Sequence, residues 1–329
     1  MGLLILLSSL GIVTLIFAYY SYRVCFHSPK RDICDDIELD FPKGAQYAAV
    51  RDKMIAAAGK MRDADCTWYS IKSHDGRILW ARYYENRPNA PIMLIFHGYR
   101  GHCCRDCAGG FRICEKLGFN VLAVYQRSHG KSDGHVISFG IRERYDCLDW
   151  VKWIEKTFGK EIPIILCGVS MGAATVLMAS ELNLGDGVTC ILADCPYSTP
   201  SAIIRKVAKD MGYPERIAYP FVRLGAVLFG GFRLNEASAV EAVKHTCHPI
   251  LLLHGEEDLF VPCEMSQQIC QCGSDHIQLH TFPKAGHGLS YLSDPDRYEK
   301  ICVDFLWQMP TLQPYLTQSK FANDLHQRK

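Results

Sequence analysis

The chain has 329 residues, 48% of them hydrophobic and 22% charged, which is enough apolar material for one large core or two modest ones. Its 36 basic and 35 acidic residues leave a formal charge of +1, so no basic excess exists to hold a nucleic acid. Sixteen cysteines are scattered through the sequence, and no Cys-x-x-Cys pair is followed by a second at zinc-site spacing. The densest group is His102, Cys103, Cys104 and Cys107. It lacks the second ligand pair that a tetrahedral site usually takes from elsewhere, and scattered thiols suit a reducing compartment.

Residues 1–22 carry no charged side chain. As a helix, Gly2 to Tyr22 would extend roughly 30 Å, the thickness of a bilayer's hydrocarbon layer. Tyr19, Tyr20 and Tyr22 then fall where an interfacial aromatic belt lies. A signal peptide would want a basic start and small residues before a cleavage point, and a buried core helix would want a polar face. The sequence offers none of these, and the expectation is a membrane anchor over 1–24. Arg23, Lys30 and Arg31 follow the span and nothing basic precedes it, which on the positive-inside rule puts the rest of the chain in the cytoplasm. Asp32, Asp35 and Asp36 count little in that rule.

Residues 25–66 read as a polar juxtamembrane region with a helical segment from Gln46 to Met61. Two aromatic-rich runs, Thr67–Ser73 and Ile78–Tyr84, flank Asp75-Gly76 and predict a β-hairpin. Strands and helices then alternate: Ile92–Phe96, a helix through Phe111–Leu117 ended by Gly118, Asn120–Tyr125, and an amphipathic helix over 142–158. The strand Ile162–Cys167, the helix Ala173–Ser180 and the strand Val188–Ala193 follow. The strands Ile250–Leu253 and Gln278–Phe282 and a closing helix Tyr298–Trp307 complete the series. Continuous apolar strands between helices predict an α/β fold, a mostly parallel sheet covered on both faces. About fifty residues separate Pro196 from Pro249 where a short helix would suffice; their apolar stripe predicts a helical cap over about 197–246. The stripe fits simple packing or an acyl pocket equally well. The core domain runs over 67–308, and 309–329 read as a polar, frayed tail.

The centre of the sequence is Gly168-Val169-Ser170-Met171-Gly172, between an apolar strand and a good helix former. In that context two glycines let backbones approach, and a serine sits exposed at the apex of a sharp turn. Ligands gather beyond the carboxyl ends of such strands, and three other strand ends carry chemistry. Asp258 follows His254-Gly255 and can orient a histidine, with Glu256 and Glu257 as competitors. His287, flanked by Gly286 and Gly288, can reach Ser170 and Asp258 at once; His254 and His280 are better read as structural. At His97-Gly98-Tyr99 a loosened turn can aim the Tyr99 N–H at the same point as that of Met171, an oxyanion hole. His97 and Gly98 support that loop.

These motifs, in the order Ser, Asp, His, resemble the α/β-hydrolase superfamily over roughly 67–308. The chain looks most like bacterial serine hydrolases related to prolyl-oligopeptidase-type and acyl-ester-hydrolysing members, with an N-terminal anchor. Gln126 to Ser132 resembles their loop after the fourth strand, although Tyr125 stands where many relatives carry aspartate. The resemblance implies an α/β-hydrolase fold with a cap. It also implies hydrolysis of carboxylic or lipid esters through a Ser170–His287–Asp258 triad and an acyl-enzyme, without metal or organic cofactor. A peptidase, an acyltransferase and a non-catalytic scaffold are the other activities such a chain supports. The expected partners are an ester substrate and a membrane, not nucleic acid.

Overall fold

The continuous apolar strands are buried on both faces, and their alternate residues feed two separate cores. Ile92, Leu94 and Phe96 belong to one core, and Met93 and Ile95 to the other. The computed structural model describes residues 1–29, 41–42, 44–273 and 275–327. Lys30, Arg31, Asp32, Asp35 and Asp36 lie outside the described residues.

In chain order the elements begin with α1 (Gly2–Cys25), α2 (Ala45–Ala48) and α3 (Arg51–Asp63). Then come β1 (Thr67–Lys72), β2 (Ile78–Tyr84), β3 (Ile92–Phe96), α4 (Cys103–Asp106), α5 (Ala108–Leu117) and β4 (Asn120–Tyr125). The middle holds α6 (Glu143–Phe158), β5 (Ile164–Val169), α7 (Met171–Ala179) and β6 (Val188–Asp194). After β6 follow α8 (Pro200–Asp210), α9 (Glu215–Gly225), a π-helical turn Ala226–Gly230 and α10 (Ala239–Ala242). The chain closes with β7 (Ile250–Gly255), α11 (Glu264–Cys272), β8 (Ile277–Phe282), α12 (Ser290–Ser293), α13 (Pro295–Trp307), α14 (Gln313–Leu316) and α15 (Lys320–Gln327).

The eight strands form one sheet in the order β1-β2-β4-β3-β5-β6-β7-β8. The hairpin pairs antiparallel, as its Asp-Gly turn predicts, and β2 pairs antiparallel with β4. All remaining pairs are parallel. This is the α/β-hydrolase fold. Residues of α5, α13 and α15 fill one core, and residues of α6, α7 and α11 fill the other. Local signals set the helix ends. Thr199 caps α8 by accepting from the Ala202 N–H, with Pro200 in the first turn. Gly118 ends α5 in the left-handed region at φ 70°.

Two regions differ from their sequence reading, and a third takes one of the two roles left open for it. Within the tail over 309–329, expected to fray, Gln313–Leu316 and Lys320–Gln327 instead form α14 and α15, and Leu312, Leu316, Ala322 and Leu325 are buried in the core that α5 and α13 fill. Their few apolar residues recur at helical spacing within a polar composition, so the composition concealed the contact. The helical segment after the anchor breaks at Ala49–Val50 into α2 and α3. Finally, the apolar stripe of the cap packs Ile203, Ile204, Tyr219 and Val222 with Phe26, Phe139 and Met171. These residues are core, and the cavity over Ser170 lies elsewhere.

The turn after β5 fixes this arrangement. A Cβ on Gly172 would lie 2.0 Å from the Phe96 carbonyl oxygen, and one on Gly168 2.3 Å from the Gly172 backbone. Gly118 meets nothing within 4 Å, so only its φ resists a side chain. Gly118→Ala is therefore expected to cost about 1 kcal/mol. Gly172→Ala should cost more than about 4 kcal/mol or prevent folding; urea unfolding of the two variants against wild type measures the difference.

Candidate active site

Ser170 sits at φ 55°, ψ −115°, between the last residue of β5 and the first of α7. Its N–H donates to the Asp194 carbonyl at 2.8 Å and its carbonyl accepts from the Ala174 N–H at 3.0 Å, so backbone contacts on both sides hold a conformation that costs energy alone. The side chain stands beyond the carboxyl ends of the parallel strands. From the loop after β8, His287 Nε2 lies 3.0 Å from Ser170 Oγ. Its Nδ1 lies 2.7 Å from Asp258 Oδ2, in the loop after β7. With the proton on Nδ1 the ring donates to the carboxylate and leaves Nε2 able to accept from the serine hydroxyl.

Asp258 is strongly held. Its Oδ1 accepts from the N–H groups of Phe260 and Val261 at 2.9 and 2.8 Å. Burial pushes its carboxyl upward, but the hydrogen bonds from His254 and His287 outweigh that and hold it below the usual carboxylate range. Fully buried His254 is the less visible support. Its Nε2 donates to the Val261 carbonyl at 2.8 Å and passes 3.4 Å from Asp258 Oδ2, while Nδ1 faces the Ser266 hydroxyl at 2.7 Å. Glu256 turns away to the Thr281 hydroxyl at 2.6 Å, and His280 sits within β8.

The loop after β3 brings Gly98 against the serine: a Cβ there would sit 3.5 Å from that of Ser170. His97 is wholly buried, with Nδ1 donating to the Gly98 carbonyl at 2.8 Å and Nε2 accepting from the Gln126 N–H at 3.1 Å. Burial lowers its pKa to about 3, so it is neutral and fixed in one tautomer. Met171 begins α7 directly after the serine, and Tyr99, in the turn after β3, lines the same cavity as Ser170. Sequence reasoning missed three further supports of this loop, because no local motif marks Arg105 or Asp106 as its partners and His129 reaches it from 29 residues away. Asp106 Oδ2 accepts from the Gly98 N–H at 2.9 Å, and Asp106 is itself paired with Arg105 at 2.7 Å. His129 Nε2 accepts from the Arg100 N–H at 3.1 Å. Arg100 stands at φ 49°.

A cavity of about 380 Å³ opens on Ser170 and His287. None of the residues lining it comes from 197–246. Its walls are Met54 and Ala57 of α3, Ile95, Cys107, Ala108 and Leu292, with Gln46 and Tyr47 at its rim. Gln46 reaches over the histidine loop, where its Oε1 accepts from the His287 N–H at 3.3 Å. The segment that reads as a juxtamembrane leader is thus one wall of the cavity. No periodicity in 45–63 points to that; only the tertiary path does. Among the described residues His102, Cys103 and Cys104 bring donor atoms within 4.8 Å of one another, without Cys107. The described cysteines carry no disulfide.

Comparison with known proteins agrees with this architecture. Residues 87–212 match the family model described as serine aminopeptidase, S33. The chain is 26% identical over 312 residues to the uncharacterized protein YqkD of Bacillus subtilis, covering 93% of this chain and 97% of that protein. It is 24% identical over 242 residues to the lysophosphatidylserine lipase ABHD12 of Danio rerio, covering 68% of this chain and 58% of that one. Among solved structures, the esterase Pf2001 of Pyrococcus furiosus superposes with a TM-score of 0.60 at 22% identity. That superposition covers 75% of this chain and 92% of the esterase, and it shows the shared fold.

One buried acid in the cavity takes no part in the serine–histidine–aspartate row. Asp194, at the end of β6, accepts from the Ser290 and Tyr298 hydroxyls, both at 3.1 Å. Burial lifts its pKa to about 6, against the opposing pull of His254 and those two donors. The folded state therefore holds this proton more tightly than the unfolded chain. Its contribution is fully present below the unfolded value and is lost as pH rises through about 6. Asp194→Asn removes that loss. Its stability relative to wild type should improve by about 1–3 kcal/mol between about pH 4 and pH 7.5, measured by urea unfolding at both pH values; a flat or opposite difference contradicts the assignment.

Proposed function

We propose that this chain, which has the α/β-hydrolase fold, cleaves carboxylic esters with Ser170 as nucleophile, His287 as base and Asp258 as the acid that orients it. The observation that carries this reading is the unbroken row from Asp258 through His287 to Ser170, at 2.7 and 3.0 Å. Ser170 attacks the carbonyl carbon as its proton passes to His287 Nε2, and Asp258 steadies the imidazolium that forms. The N–H groups of Tyr99 and Met171 receive the developing oxyanion, each worth roughly 3 kcal/mol. His287 then protonates the leaving alcohol. A water deprotonated by the same ring releases the acid and restores the serine.

The apolar walls of the cavity suit an acyl group, and the lipase named among the relatives supports a lipid ester. Helix α1 is long and apolar enough to cross a membrane, and we read it as an anchor that keeps the enzyme beside such substrates. The description of the matched family favours a second reading, peptide hydrolysis at the same triad. An aminopeptidase needs a carboxylate for the substrate's terminal amine. Of the carboxylates along this cavity, Asp106 is committed to Gly98 and Arg105, and Asp194 to Ser290 and Tyr298. Ester cleavage ranks first for that reason.

The test is a series of p-nitrophenyl esters of rising chain length, with aminoacyl amides beside them. Wild type should turn over the esters in preference to the amides. Asp258→Asn should lower kcat by about 10⁴-fold, and Ser170→Ala should abolish turnover. Met54→Trp should move the optimum to shorter chains while sparing acetate. Ester turnover that survives Ser170→Ala would sink the reading.

A further inference from the structure

The cap presents an apolar outer face that none of the described residues covers. Ile217 is 65% exposed, Met211 58% and Leu228 51%, and Tyr213, Val227 and Phe229 are exposed as well. This face is continuous with α1. Phe17 meets Phe221 with ring centroids 5.3 Å apart, and Tyr19 and Tyr22 meet Phe229 at 5.2 and 5.8 Å. The two helices touch backbone to backbone: a Cβ on Gly225 would lie 2.4 Å from the Ala18 carbonyl oxygen. Ala18 is wholly buried, whereas its neighbours Phe17 and Tyr19 are about half exposed. Small residues at such a crossing are how apolar helices pack without a water-driven force.

Direction gives depth. Phe221 pairs with Phe17 and Phe229 with Tyr22, so α9 and α1 run parallel. The start of α9, with Ile217, therefore projects along α1 away from the core domain and beyond the tyrosine belt. Whatever surrounds the apolar half of α1 also surrounds Ile217. The charges agree. From 200 to 225 the cap carries Arg205, Lys206, Lys209, Arg216 and Arg223 against Asp210 and Glu215, which is five minus two, or +3. An amphipathic helix with a basic polar face is built to lie in an anionic lipid interface, its long cations reaching up to the headgroups.

We propose that the cap's outer face inserts into the phospholipid bilayer alongside α1, so that the two form one membrane-embedded platform. The inference rests on reading α1 as an anchor. The platform is joined directly to the candidate oxyanion loop. Tyr99 Oη donates to the Cys25 carbonyl at 2.8 Å, and Arg100 Nη2 donates to the carbonyls of Val24 and His27 at 2.8 and 3.1 Å. The last carbonyls of α1 are thus capped by the loop that precedes the site. The substrate class that follows is an amphiphile already resident in the bilayer interface, delivered from the lipid phase.

The experiment uses the full chain in vesicles of phosphatidylcholine and phosphatidylglycerol that contain a phospholipid with a diazirine on its acyl chain. After irradiation, peptide mass spectrometry locates the lipid adducts. The expected result is adducts within 211–229 as well as within α1. In Ile217→Glu/Leu228→Glu the cap adducts should fall about tenfold, the factor that corresponds to about 1.4 kcal/mol, while α1 adducts persist. Fluorophosphonate labelling of the same variant checks that its site is intact. Adducts confined to α1 overturn the proposal and leave the anchor standing; if they come with a dimer mass in detergent, the face belongs to a second copy. Adducts on neither helix overturn the anchor and the proposal together. A wild-type chain that shows cap adducts but no fluorophosphonate labelling would sink the hydrolase reading and uphold this one.

Discussion

The molecule depends on one close approach, that of the turn after β5 to the end of β3. Gly172 lies against the Phe96 carbonyl and Gly168 against Gly172, with no room for a methyl group at either position. That contact lets Ser170 sit at φ 55° and brings the Gly98 turn within van der Waals reach of its side chain. The strain is offset by hydrogen bonds from Ser170 to β6 and into α7. Any residue larger than glycine would separate the serine from the loop after β3.

Around that turn the site is held by groups outside the serine–histidine–aspartate row. His254 and two backbone N–H groups fix the Asp258 carboxylate, so the aspartate is aimed before His287 arrives. His97, Asp106 and His129 grip successive residues of the β3 loop. His97 and His129 are buried and neutral and Asp106 is paired with Arg105, so the loop is positioned without adding a net charge beside the serine. Preorganisation of this kind is where the rate of acyl transfer comes from.

The strands, their order of chemistry and the serine turn were legible because each is a local pattern: an apolar run, then glycines around a reactive side chain. Ser170, Asp258 and His287 stand in three loops far apart in the chain, and their spacing relative to strand ends was sufficient to name them as candidates. The wall of the cavity was not legible. Gln46, Tyr47 and Met54 reach the site only because the chain doubles back over the loop after β8. The cap stripe left packing and an acyl pocket both open, since an amphipathic stripe cannot say which neighbour it faces. Its inner residues found the core and α1, and its outer ones remain exposed. The tail misled for a related reason, a few apolar residues in a polar stretch being enough to dock two short helices.

The central claim is that the serine, the histidine and two N–H groups converge on one reacting carbonyl. A crystal structure of the fluorophosphonate adduct tests it most directly. The account predicts phosphorus bonded to Ser170 Oγ, with the phosphonyl oxygen about 2.7–3.1 Å from the backbone nitrogens of Tyr99 and Met171 and His287 Nε2 facing the leaving-group side. An adduct on another residue, or a phosphonyl oxygen turned away from both nitrogens, would contradict it.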